Sequence, residues 1–92
     1  MKTTFEDNIK KMLETEANQP PRWFYLSFSA EHFLGGVFIE AKGLAHALAE
    51  THAIGINPGG EVLSMEISRE KMNLVPSSMR NRILTREEVE GI

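Results

Sequence analysis

Cysteine is absent from all 92 residues. That removes disulfide staples, thiolate zinc sites and a cysteine nucleophile, and leaves apolar packing as the main source of stability. Long apolar runs are missing as well. Charged and apolar residues alternate over residues 2–13, so neither a signal peptide nor a membrane span is expected, and the cytoplasm is the predicted location. Charge of one sign is scarce: ten Lys and Arg stand against thirteen Asp and Glu, a formal net charge of -3. This is too small for an acidic mimic of DNA, and its sign does not favour general nucleic-acid binding.

What is present fits one small domain over residues 1–92. Apolar residues make up 41% of the chain, enough for one core and not for two. At this size roughly 60–70% of the unfolded surface is buried on folding, so a second apolar face tends to seek a partner. A homo-oligomer is expected on that ground.

Spacing predicts an amphipathic helix over residues 4–17, with Phe5, Ile9, Met12 and Leu13 on one face and Thr3 with Glu6 in capping-box positions. Pro20 and Pro21 close it off, since proline has no amide to donate. Residues 23–29 read as a strand with Phe24, Leu26 and Phe28 on one face and Trp23, Tyr25 and Ser27 on the other. Its hairpin partner is predicted over residues 36–41, with Val37 and Ile39 inward. From Gly43 the pattern turns helical: Leu44, Leu48 and Thr51 share a side that Ala45 and Ala47 flank, and Gly55 supplies the stop. Residues 61–67 return to alternation, with Leu63, Met65 and Ile67 opposed to Val62, Ser64 and Glu66.

A helix between two such strands predicts a right-handed crossover, with the third strand parallel to the second and placed beside either the first strand or the second. The expected class is therefore α+β: an N-terminal helix, a β-β-α-β core over residues 23–67 with a small three-stranded mixed sheet, and a loop with a short helix over residues 68–92. Thr85 and Glu88 have capping-box spacing for that last helix.

Four features carry functional expectations. The second sheet face gathers Trp23, Tyr25, Phe38 and Val62 among Ser27, Glu40, Ser64 and Glu66; either the N-terminal helix or the tail covers it, or it forms an interface. The turn over residues 55–61 carries Asn57, Gly59 and Gly60, whose backbone amides suit an anion. It is neither a phosphate-binding loop nor a dinucleotide fingerprint, because it lacks Gly-Lys-Ser/Thr and leads into a strand. Arg80 and Arg82, with Ser77, Ser78 and Asn81, offer donors for phosphate or carboxylate. His52 borders the glycine turn, while His46 and Glu50 sit one helical turn apart. Two ligands on one face do not make a zinc site, so no metal and no cofactor are expected.

The segments Trp23-Phe24-Tyr25-Leu26-Ser27-Phe28, Phe33-Leu34-Gly35, Gly55-Ile56-Asn57-Pro58-Gly59-Gly60-Glu61-Val62 and Asn81-Arg82-Ile83-Leu84-Thr85 resemble a group of short uncharacterised proteins from bacteria and their phages. The resemblance implies no activity and transfers no site residue; a phage setting implies host-directed inhibition or ligand sequestration. The expected function is a non-catalytic binding module that docks on a second copy, on a host protein or on a small anionic, nucleotide-like ligand. Asn57, Gly59, Gly60, Arg80, Arg82 and His52 are the ligand candidates, and Trp23, Tyr25, Phe38 and Val62 the interface candidates. A small enzyme using His46 or His52 with Glu50 as an acid–base pair is the alternative. Nucleic-acid binding through the late basic residues Arg69, Lys71, Arg80, Arg82 and Arg86 is a further one.

Overall fold

The computed structural model describes residues 5–91 in backbone and, except for residues 5–7 and 9, in side chain. The expected Thr3–Glu6 capping box and the Phe5 and Ile9 positions lie outside the described residues or side chains. Helix α1 runs Phe5–Glu16, strand β1 Arg22–Ser29, strand β2 Phe33–Ala41, helix α2 Leu44–Ala53 and strand β3 Glu61–Ile67. The tail adds α3 Arg69–Met72, a 3-10 turn Ser77–Met79 and α4 Arg86–Glu90.

Strand β1, with its alternating aromatic and aliphatic residues, is the middle strand. It pairs antiparallel with β2 on one side and with β3 on the other, giving the order β2-β1-β3. The expected mixed sheet is thus corrected to an all-antiparallel one. Strand β3 does run in the same direction as β2, but β1 lies between them, so no parallel ladder forms. The hairpin connection is also shorter than the expected strand over residues 36–41 leaves it: Phe33, Leu34 and Gly35 belong to β2, with an irregularity in register between Phe28 and Ser29.

One sheet face packs on α2. Phe24, Leu26, Phe28, Val37, Ile39, Ala41 and Ala47 form its buried cluster, and Leu34, Leu44, Leu48, Ile56 and Val62 complete it. Thr51, fully buried in α2, is satisfied by donating its hydroxyl to the Leu48 carbonyl at 2.8 Å. Such i to i−3 bonding lets a polar residue sit on a helix's apolar side at little cost.

The other face carries a second cluster of Phe38, Met72, Val75 and Leu84, with Trp23, Tyr25, Ile67, Met79 and Val89 packed against it. Three of its four buried members come from the tail, so it is the tail, and not α1, that covers this face. The tail also ties itself to the outer edge of β2. Gly36 donates to the Leu84 carbonyl at 3.1 Å, Leu84 donates back at 2.7 Å, and the Asn81 amide reaches the Phe38 carbonyl at 2.9 Å. Gly36 is required there by space: a Cβ on it would stand 2.8 Å from Cε1 and 2.9 Å from Cζ of the Tyr25 ring that lies across it.

Helix α1 docks on α2 through a polar clasp. The α2 N-terminus has no side-chain cap of its own at Gly43. Instead Glu16, from the end of α1, accepts from the Ala45 amide at 3.0 Å, the His46 amide at 2.9 Å and His46 Nδ1 at 3.0 Å. A carboxylate at that position satisfies orphan helix amides and meets the positive end of the helix dipole. Burial pushes the Glu16 carboxyl upward, but the amides of His46 and Ala45 and the imidazole outweigh it and hold it below the usual carboxylate range.

Candidate interaction edge

Pairing fixes which β3 residues share a face with which β1 residues, because directly opposed residues point the same way. Ser27 faces Leu63, Tyr25 faces Met65 and Trp23 faces Ile67, while Phe28 faces Val62. Val62 therefore belongs to the α2 face, correcting its expected grouping with Trp23, Tyr25 and Phe38. Register, not the count of apolar residues per phase, decides the matter. On the tail-covered face, Ile67 is packed, but the cover stops short of the strand's other half. Leu63 remains 72% and Met65 57% exposed.

The expected interface residues thus divide. Phe38 is buried and Trp23 and Tyr25 are half-buried beneath the chain's own tail. Burial raises the Tyr25 hydroxyl above its ordinary range, opposed by a hydrogen bond with Ser27. What stays open on this face lies one strand further out, on β3.

The backbone edge there is open too. Strand β3 hydrogen-bonds to β1 on one side, and its other side has no strand partner among the described residues. The two edges of the sheet are therefore treated differently: β2 carries bridges to Arg80 and Leu84, and β3 carries none among the described residues. Protected edges commonly use lysine, proline or a bulge to discourage further pairing. Residues Glu61-Val62-Leu63-Ser64-Met65-Glu66-Ile67 contain no lysine, arginine or proline, and the register with β1 runs without interruption. Glu66 is already engaged by Arg22 Nη1 at 2.7 Å, in an exposed pair.

The expected anion ligands are placed apart. Gly59 and Gly60 take positive φ values of 86° and 78°, and the Asn57 Oδ1 accepts from the Gly59 amide at 2.9 Å, so the turn is closed by its own side chain. Gly60 abuts the Ser29 carbonyl and Leu34 at the hairpin end of the sheet. Arg80 is on the opposite sheet edge, bridging Phe38 of β2. Its Nη2 donates to the Met72 carbonyl at 2.6 Å and the Val75 carbonyl at 3.1 Å. Its guanidinium carbon stands 5.1 Å from the Trp23 ring centroid. The arginine is a clamp that holds the tail to the sheet.

Arg82 is similarly occupied. It donates from Nε to the Ser78 carbonyl at 2.6 Å and from Nη2 to Glu88 at 2.6 Å. Glu88 also completes the expected capping box with Thr85. The Arg82 guanidinium first, then the Thr85 amide, lower the Glu88 carboxyl from 4.5 to about 2. His52 is exposed and lines an open, largely apolar groove with Met12, Leu44, Leu48 and Asn57. His46 meets Glu16 rather than forming the expected pair with Glu50. No group of three or more His, Asp or Glu side chains converges as a metal site among the described residues. Nor is any helix among them long and apolar enough to cross a membrane. Comparison with family models, with curated proteins and with solved structures returns no match.

Sequence reasoning had the β3 residues in view but missed the edge they form. Its one available signal was the lack of any charge-bearing lysine or proline in an otherwise good strand.

Proposed function

We propose that the protein is a non-catalytic docking module that binds a protein partner along the outer edge of β3. The observation that carries this reading is the combination of unpaired strand backbone with exposed Leu63 and Met65 beside it. Backbone hydrogen bonds from an added strand supply affinity, and the side chains on alternate positions supply selectivity. The rest of the chain serves as a rigid mount: α2 packs one face, the tail covers most of the other, and β2 is closed by Leu84 and Asn81. Arginines that looked free for an anion are committed to carbonyls and to Glu88, which favours protein docking over ligand sequestration.

The test places a photo-crosslinking amino acid at position 65 or, as a control, at exposed position 87, and irradiates cells producing the protein. Discrete protein adducts are expected from position 65 alone, and they should disappear when Leu63→Lys is added. Equal labelling from both positions, or none from position 65, would overturn the reading.

A further inference from the structure

We infer that the occupant of the β3 edge is a second copy of the same chain, paired antiparallel about a two-fold axis through Ser64 to make a continuous six-stranded sheet. This rests on the docking reading and goes beyond it by naming the partner. A two-fold antiparallel pair requires each residue to oppose one on the same sheet face, which restricts the possible registers. The register centred on Ser64 is the one that pairs all seven residues of Glu61–Ile67. In it Leu63 opposes Met65 of the other copy, and Met65 opposes Leu63, so the exposed apolar side chains meet on the face they share. Glu61 opposes Ile67 and Glu66 opposes Val62. No carboxylate faces a carboxylate, and Glu66 keeps its Arg22 partner at 2.7 Å.

The exposed apolar side chains are thus self-complementary at the centre of the strand, and no like charges oppose one another toward its ends. An antiparallel ladder of this length adds about six to eight backbone hydrogen bonds. No lysine, proline or bulge opposes it. The contact is narrow, so the dimer forms with concentration rather than being permanent.

Absence of native cysteine makes a single introduced thiol a clean probe. Opposed residues in an antiparallel pair lie about 4.5–5.5 Å apart at Cα, within disulfide reach. Sedimentation velocity of the full chain from micromolar to near-millimolar concentration should show a monomer–dimer shift that Met65→Lys abolishes while leaving the circular dichroism unchanged. Ser64→Cys should oxidise to a covalent dimer, and Ser78→Cys, on the exposed 3-10 turn, should not. A monomer at every concentration, or a dimer that survives Met65→Lys with the Ser64→Cys thiol remaining free, would overturn the self-pairing. If the protein is monomeric yet position 65 still captures other proteins in a Leu63-dependent manner, self-pairing falls and the docking reading stands. If it captures nothing, both fall.

Discussion

Replacing Arg80 by alanine separates a structural clamp from a ligand-binding arginine. In the folded chain Nη2 donates to two tail carbonyls, Met72 and Val75, and the guanidinium covers the Trp23 ring. Hydrogen bonds to a charged group contribute about 1.5–3 kcal/mol when well desolvated, and discounting for partial exposure leaves about 1 kcal/mol each. The cation–π contact adds about 0.5–1 kcal/mol. The buried Nε has no hydrogen-bond partner among the described residues and is given no share of the total, about 2–3 kcal/mol. For a chain of this size an unfolding entropy near 2.1 cal/mol/K per residue converts each kcal/mol into about 5 °C, so Tm should fall by about 10–15 °C.

The assay is urea denaturation followed through Trp23, the single tryptophan of the chain. Its emission should shift to the red in the native variant as the cover over the ring loosens. Arg80→Lys should recover less than half of the loss, because an ammonium lacks the planar fork and stacks poorly on the indole. Stability within about 0.5 kcal/mol of the parent for Arg80→Ala, with unchanged emission, would refute the clamp.

Two further outcomes follow from the same packing. Glu16 is held below its ordinary carboxylate range, so the stability it contributes is present above its unfolded pKa and is lost as pH falls through its folded one. Glu16→Gln should therefore cost about 1 kcal/mol at neutral pH, as loss of a helix cap does, and should flatten the decline in stability as the pH falls from the unfolded carboxylate pKa through the lowered folded one, measured by denaturation at each pH. Gly36→Ala should destabilise by about 1–3 kcal/mol, because the new methyl collides with the Tyr25 ring that closes the second cluster. Loss of near-ultraviolet circular dichroism from the aromatic pair Tyr25 and Phe38, whose centroids are 4.9 Å apart, would report it.

The middle of the chain was legible because short-range pattern dictates it. Alternation in β1, the turn chemistry at Gly59 and Gly60 and the apolar side of α2 each act within a few residues. Position between strands was not legible in the same way. A helical connection from β2 to β3 fixes their relative direction, yet it leaves room for β1 to lie between them. The phase of β3 was misread for a related reason. Leu63, Met65 and Ile67 outnumber Val62, so counting apolar residues does not reveal that Val62 enters the α2 core and that Leu63 and Met65 stay out.

Charged residues were the least legible of all. Arg80 read as a free donor because its acceptors are backbone carbonyls, which carry no sequence signal, and Arg82 because it divides its donors between the Ser78 carbonyl and Glu88, six residues on. Glu16 caps a helix that begins 28 residues later at Leu44, a pairing that local capping rules do not reach. The candidate site was missed for a converse reason. An edge is defined by what fails to pair with it, and that becomes visible only when the strand order is known.

Amide hydrogen exchange across β3, read residue by residue in dilute and in concentrated protein, bears most directly on the open edge. In dilute solution the alternate amides of Glu61–Ile67 that do not bond to β1 should exchange rapidly, while Gly36 and Leu84 on the opposite edge stay protected. At high concentration those same β3 amides should gain protection, with Ser64 at the centre of the protected stretch. Slow exchange already at high dilution, or no change with concentration alongside failure of position 65 to crosslink, would contradict an edge built for docking.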